Sequence, residues 1–157
     1  MHRLIIGPGS MGRWYKLFGI AFAAYSIAWI AGWMVIRGNA GSLVGLFAGT
    51  AVMALILTRS FDAKSVLLKV IISLFVLNVL GYFAGGWVER NVIGWKVLSE
   101  PSLALERAAR MRLAMLMWGV CYGIGFGAGL GLAFHFCQTE ARALLSRSRE
   151  QQPHSTP

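Results

Sequence analysis

Four long stretches of this chain contain no Asp, Glu, Lys or Arg, and they limit what it can fold into. They cover residues 17–36, 38–58, 70–88 and 113–139, and hold 20, 21, 19 and 27 residues. A helix needs roughly 20 apolar residues to cross the hydrocarbon core of a bilayer. In hydrocarbon, backbone polar groups must pair within a helix or a closed barrel, and continuous apolar runs favour the helix. The sequence therefore predicts four transmembrane helices.

The composition excludes the main alternatives to a membrane protein. Hydrophobic residues make up 57% of the chain and charged residues 13%. Soluble domains are typically about 45–50% apolar and about 25% charged. This charge is too scarce to cover a soluble globule, and the apolar content excludes a disordered chain or a small disulfide-stapled module. We expect an all-α, integral membrane four-helix bundle in the cell (inner) membrane.

The boundaries between segments follow from charges and turn residues. We predict a basic N-terminal tail over 1–16, a four-span transmembrane domain over 17–139 and a polar C-terminal tail over 140–157. A glycine-rich turn precedes the second span and shortens it. Residues 101–111 have a helical pattern, and disorder is expected from about residue 146. The four spans are placed at 17–36, 43–58, 68–88 and 113–136.

The Lys and Arg residues indicate the orientation and the partners. The side that holds both termini carries nine of them and the other side six. Because cytoplasmic loops carry the excess of Lys and Arg, we expect both termini in the cytoplasm, although five cations in the third connection weigh against this. The net charge of +9 suits acidic lipid headgroups. No basic stripe with interleaved aromatic residues is present, so nucleic acid is not an expected partner.

Glycine spacing is the strongest pattern within the spans. Glycine costs about 1 kcal/mol relative to alanine inside a helix, so repeated glycines suggest close helix contact as a compensating gain. The pattern is typical of a glycine zipper, either within one bundle or between subunits. The predicted packing glycines are Gly41, Gly45 and Gly49 in the second helix, Gly81 and Gly85 in the third, and Gly119, Gly123, Gly125, Gly127, Gly129 and Gly131 in the fourth.

The alternating glycines from Gly123 to Gly131 resemble those in the first helix of the ring-forming c subunit of ATP synthase. The resemblance covers nine residues. The c subunit is a two-helix hairpin with a carboxylate in mid-membrane, whereas none of the four spans here contains Asp or Glu. The resemblance therefore implies close helix contact and no proton-binding role.

Two short motifs resemble ligand sites. Gly7, Gly9 and Gly12 match the Gly-x-Gly-x-x-Gly dinucleotide fingerprint, but an apolar span follows where a βαβ unit would be needed. His135 lies near the end of the fourth span without a second ligand at suitable spacing, since Cys137 points across the helix. We expect no cofactor and no metal.

Two polar side chains remain candidates for contacts inside the membrane, Asn78 and His135. No nucleophile–base pair or carboxylate pair lies within the spans, so an enzyme is not expected. The sequence favours an accessory or structural membrane subunit that acts through helix–helix packing. The alternative is a small transporter or channel formed by oligomerisation along the fourth helix. A homo-oligomer or a larger membrane complex is the expected assembly, with the lipid bilayer as the surroundings.

Overall fold

A computed structural model describes residues 10–94 and 107–150 of the chain. All regular structure in these ranges is helical, and each of four helices is long and apolar enough to cross a membrane. The prediction of an all-helical chain with four membrane-length helices is confirmed for this part. The helices are α1 (Ser10–Ile36), α2 (Gly38–Ser60), α3 (Leu67–Ile93) and α4 (Arg107–Glu150), and a 3₁₀ turn (Lys64–Val66) precedes α3.

The described residues fall into two compact units. Unit 1 contains residues 10–75 and 131–150, and unit 2 contains residues 76–94 and 107–130. Unit 1 therefore holds α1, α2, the first part of α3 and the last part of α4. Unit 2 holds the remaining parts of α3 and α4.

A single residue, Arg37, separates α1 from α2. Its N–H donates to the carbonyl of Trp33 at 2.9 Å, and its own carbonyl accepts from the N–H of Gly41 at 3.1 Å. Arg37 and Gly38 both have positive φ, at 58° and 62°. The conformations of these two residues reverse the direction of the chain between α1 and α2. As a result α2 begins at Gly38, five residues before the span predicted at 43–58.

The connection from α2 to α3 is also short and closely bonded. The N–H of Phe61 donates to the Leu57 carbonyl at 3.1 Å, and that of Ala63 donates to the Thr58 carbonyl at 2.8 Å. Phe61 and Ala63 are buried. Between them, Asp62 has φ 54°, a left-handed conformation that Asp tolerates better than most residues. The connection is thus held by backbone hydrogen bonds and by two buried side chains.

Hydroxyl groups inside α2 are satisfied by their own helix. Thr50 donates to the Leu46 carbonyl and Thr58 to the Ala54 carbonyl, each at 2.8 Å. Both threonines are buried. Because a buried hydroxyl without a partner is costly, these bonds allow α2 to carry threonine among apolar neighbours.

The fourth helix is much longer than a membrane crossing. It spans 44 residues, which at 1.5 Å per residue is about 66 Å. It continues to Glu150, well into the segment 140–157 that the composition assigned to a polar tail. Residues 140–150 contain no Gly or Pro and are rich in Ala, Leu, Arg and Glu, which favour helix.

Some of the expectations fall outside the described residues. They concern most of the basic N-terminal tail with Gly7 and Gly9, the first part of the helical pattern at 101–111, and the end of the C-terminal tail after residue 150.

Candidate functional site

The glycines of α2 line its contact with α1. A methyl group placed on Gly45 would lie 2.5 Å from the Trp29 carbonyl oxygen and 2.9 Å from Trp29 Cδ1. A methyl on Gly32 of α1 would lie 2.6 Å from the Cα of Gly45. All three separations are below van der Waals contact, so a larger residue requires the helices to shift. Glycine at 32 and 45 therefore allows the two backbones to meet.

The neighbouring glycines extend this contact along α2. A methyl on Gly49 would lie 2.7 Å from the Tyr25 ring and 2.8 Å from the Tyr25 carbonyl, and the Tyr25 side chain is 1% exposed. A methyl on Gly41 would lie 3.2 Å from the Ile36 carbonyl carbon. The predicted row Gly41, Gly45 and Gly49 thus faces α1 along its length.

Aromatic side chains of α1 fill the spaces that these glycines leave. Tyr25 and Trp29 are four residues apart, and so are their partners Gly49 and Gly45. The glycine spacing alone does not identify these partners. The matching four-residue spacing of the aromatic residues Tyr25 and Trp29 in the preceding helix is the sequence signal that could have identified these partners.

In unit 2, α3 and α4 meet at a pair of glycines. A methyl on Gly125 would overlap the carbonyl oxygen of Leu77 and lie 2.8 Å from the Cα of Gly81. A methyl on Gly81 would lie 2.9 Å from the Cys121 carbonyl oxygen. One turn further along α3, a methyl on Gly85 would lie 2.9 Å from Trp118 Cδ1 and from its carbonyl oxygen.

The remaining glycines of α4 have different surroundings. A methyl placed on Gly119, Gly123, Gly127 or Gly131 would meet no atom within 4 Å, and all four residues are exposed. We call these four residues the open glycine row. Gly129, by contrast, is buried. The glycines of α4 therefore divide into Gly125, which contacts α3, the buried Gly129, and a row at four-residue spacing that the described chain leaves uncovered.

Large apolar side chains stand beside the open glycine row. Val120 and Ile124 follow Gly119 and Gly123 directly and are 50% and 68% exposed. Together with Leu116, they form a ridge at four-residue spacing next to a groove of glycines. In an apolar 18-residue stretch of α4, 11% is buried inside the chain, whereas 50% of the corresponding stretch of α2 is buried. This face of α4 can receive either lipid chains or another helix.

The two predicted polar contacts have opposite surroundings. Asn78 is 0% exposed, and neither its amide nitrogen nor its amide oxygen has a hydrogen-bond partner among the described residues. On α3 it shares a buried face with Leu74 and Gly81. His135 is exposed, and its backbone carbonyl accepts the Thr139 hydroxyl at 2.8 Å. Of these two side chains, Asn78 is the one that places polar atoms in the interior.

Other chemistry-bearing groups are few in the described ranges. Cys121 and Cys137 are free thiols. Across residues 10–94 and 107–150, no three His, Cys, Asp or Glu side chains are grouped so as to hold a metal ion. Comparison with protein-family models, with curated proteins and with solved structures found no match to this chain. The distinctive features of the described surface are thus the glycine faces and the distribution of charge.

Proposed function

We propose that this chain is a multi-pass protein of the cell membrane, folded as a four-helix bundle, that binds another transmembrane helix along the open glycine row of α4. It acts as a non-catalytic accessory or structural subunit. The observation that carries this proposal is the contrast within α4. Gly125 is used in a contact inside the chain, whereas Gly119, Gly123, Gly127 and Gly131 are open at regular spacing.

The energetics of glycine favour a helix rather than lipid as the occupant of this row. Each glycine costs about 1 kcal/mol relative to alanine in a helix interior. Lipid chains adapt to any apolar surface and gain nothing particular from a missing methyl. A second helix does gain, because association in lipid depends on close van der Waals contact between backbones.

The shape of the surface also suits a helix. The ridge formed by Leu116, Val120 and Ile124 lies beside the groove formed by the open glycine row. In right-handed crossings of small-xxx-small helices, such a groove receives the ridge of the partner. A helix with both features can pair with a second copy of itself or with a helix of another protein.

The scarcity of ionisable groups within the four apolar stretches supports a non-catalytic role. These stretches contain no Asp or Glu, and no Lys or Arg. Proton-coupled transporters and pumps generally place ionisable groups inside the membrane. A pore for neutral solutes, built by several copies associating along the open glycine row, is the second candidate, and the same row is the feature that favours it.

The test compares Gly123→Leu/Gly127→Leu with wild type and with Gly19→Leu. Gly19, in α1, is a matched control because a methyl there also meets nothing within 4 Å. Each protein is extracted from native membranes, its copurifying proteins are identified, and its mass in nanodiscs is measured. We expect wild type and Gly19→Leu to retain a partner or a higher mass that the double variant loses.

The outcomes separate the candidates. Loss of a different copurifying protein from the double variant supports the accessory subunit. Loss of a homo-oligomer that also conducts solute in liposomes supports the pore. A strictly monomeric wild type that copurifies no other membrane protein contradicts both.

We also propose that both termini lie in the cytoplasm, on the basis of the excess of Lys and Arg on that side of the sequence. Reporters that are active only in the cytoplasm or only in the periplasm, fused in turn to each terminus, test this orientation. A periplasmic signal from the C-terminal fusion contradicts it.

A further inference from the structure

One end of unit 1 brings together the beginnings of α1 and α3 and the last parts of α2 and α4. The ring of Phe134 in α4 lies 6.0 Å from that of Trp14 in α1 and 5.9 Å from that of Phe61, which follows α2. The Ser65 hydroxyl, at the start of the α3 segment, donates to Oε1 of Glu140 at 2.8 Å. These contacts place the four segments at a common level.

Positive charge is concentrated at this end. Five exposed cations come from all four segments, and we call them the basic end: Lys16, Arg59, Lys64, Lys69 and Arg142. Asp62 and Glu140 are the carboxylates there whose side chains the structure describes, and Glu140 is engaged by Ser65. The basic end therefore carries a clear excess of positive charge.

The cations lie on both sides of the aromatic layer formed by Trp14, Phe61 and Phe134. Lys16 and Arg59 are two residues from Trp14 and Phe61 on the apolar side, a rise of about 3 Å along each helix. Trp side chains favour the interface between hydrocarbon and water. Long Lys and Arg side chains just inside that interface extend toward the headgroups.

The length of the apolar stretch in α1 is consistent with a position of Lys16 just inside the interface between hydrocarbon and water. Lys16 and Arg37 enclose 20 uncharged residues of α1, about 30 Å of helix. That length equals the usual thickness of the hydrocarbon core, about 30 Å. Lys16 therefore lies at the edge of the hydrocarbon, where the phosphates of lipid headgroups are within reach of its ammonium group.

We propose that the basic end is a binding surface for the headgroups of acidic phospholipids and that it selects them over zwitterionic lipids. A lipid rather than a soluble anion is the ligand, because Lys16, Arg59 and Lys69 belong to membrane-length helices. Each Lys or Arg near an acidic membrane surface contributes about 1 kcal/mol, or roughly a fivefold preference. This surface shares no residue with the open glycine row and requires no protein partner.

The experiment measures lipid enrichment around the purified full-length protein. The protein is equilibrated in mixed micelles that contain phosphatidylcholine and phosphatidylglycerol in equal amounts, and the retained lipids are counted by native mass spectrometry. Wild type is compared with Lys16→Gln/Arg59→Gln/Lys69→Gln. We expect phosphatidylglycerol to be enriched on wild type and the enrichment to fall at least tenfold in the triple variant.

Two controls make the result specific. Arg90→Gln/Arg107→Gln/Arg112→Gln removes three charges from the end of α3 and the start of α4, and we expect it to lower the enrichment by a smaller factor than Lys16→Gln/Arg59→Gln/Lys69→Gln does. Lys16→Arg/Arg59→Lys/Lys69→Arg keeps the charge and should retain the enrichment, and a circular dichroism spectrum of the Gln triple variant that matches wild type excludes misfolding as the cause.

Several results overturn the proposal. Equal retention of both lipids by wild type shows that the basic end has no preference. An equal loss in both charge-removing variants shows that only total charge matters. Displacement of phosphatidylglycerol by inorganic phosphate at a comparable concentration shows that the site binds a free anion and not a lipid.

Discussion

Gly125 of α4 packs against Gly81 of α3 so closely that neither residue has room for a methyl group. A methyl on Gly125 would lie 2.8 Å from the Cα of Gly81, and one on Gly81 would lie 3.0 Å from the Cα of Gly125. Each helix thus presents its bare backbone to the other. Because van der Waals contact drives helix association in lipid, this pair is a main determinant of the α3–α4 contact in unit 2.

Replacement of Gly125 by alanine should therefore destabilise the protein. We expect a loss of about 1–3 kcal/mol in the free energy of unfolding, the usual cost of forcing an extra methyl into a packed site. The matched variant is Gly127→Ala, where the methyl meets nothing within 4 Å and the gain in helix propensity is up to about 1 kcal/mol. Equilibrium unfolding in mixed micelles measures both changes. Equal effects of the two substitutions would contradict the assigned contact.

The contact between α1 and α2 makes a second, independent prediction. Gly45→Ala places a methyl against the backbone of Trp29, which cannot move without moving α1. We expect a loss of about 1–3 kcal/mol. Gly19→Ala, in open space on α1, serves as the control and should be neutral or slightly stabilising. The same unfolding assay applies, and a stable Gly45→Ala variant would show that the hairpin does not depend on this approach.

The turn at Arg37 holds a side chain in a conformation suited to glycine. Arg37 has φ 58° and ψ 167°, a region that residues with a Cβ avoid at a cost of about 1–3 kcal/mol. Arg37→Gly relieves this strain, whereas Arg37→Ala removes the same charge and keeps the Cβ. We expect the glycine variant to be more stable than the alanine variant by about 1 kcal/mol after the greater flexibility of glycine in the unfolded chain is allowed for. Thermal unfolding of the two variants side by side measures the difference, and an alanine variant of equal or greater stability would refute the strain.

For Asn78 we expect the opposite effect, namely that an apolar replacement does not lower the free energy of unfolding. Its amide is fully buried and has no hydrogen-bond partner among the described residues, so it carries the desolvation cost of about 1–3 kcal/mol without a compensating bond. Asn78→Leu, which keeps the branching at Cγ and removes both polar atoms, should leave the free energy of unfolding unchanged or raise it. Asn78→Asp should lower it, because a carboxylate is still more costly to bury. A marked loss of stability in Asn78→Leu would show that the amide makes hydrogen bonds that this structure does not describe.

The sequence predicts the helices well because charge marks their ends. Lys16, Arg37, Arg59 and Glu89 lie close to the ends of the hydrocarbon-length stretches, and the structure has membrane-length helices over all of them. The start of α2 could not be predicted from composition, since residues 38–42 have the glycine and polar content of a turn. Only the backbone conformation of Arg37 and Gly38 shows that these two residues complete the reversal.

The surroundings of the glycines could not be predicted from the sequence either. Gly123 and Gly125 are the same residue type, two positions apart, and both belong to regular patterns. The rotation of α4 against α3 decides which of them meets a neighbour, and that rotation depends on packing across the whole contact. The sequence shows that Asn78 is a polar residue within an apolar span. It does not show what surrounds the amide, because that also depends on how the helices pack.

The continuity of α4 has a mechanical consequence. Between the open glycine row and Glu150 the helix has no break, and after Phe134 it continues for 16 residues, about 24 Å. In unit 1, the Phe134 ring contacts those of Trp14 in α1 and Phe61 after α2, and Glu140 accepts the Ser65 hydroxyl, so this part of α4 is tied to three other segments. A molecule that binds and displaces the last turns of α4 therefore also acts on α1 and on the connection from α2 to α3.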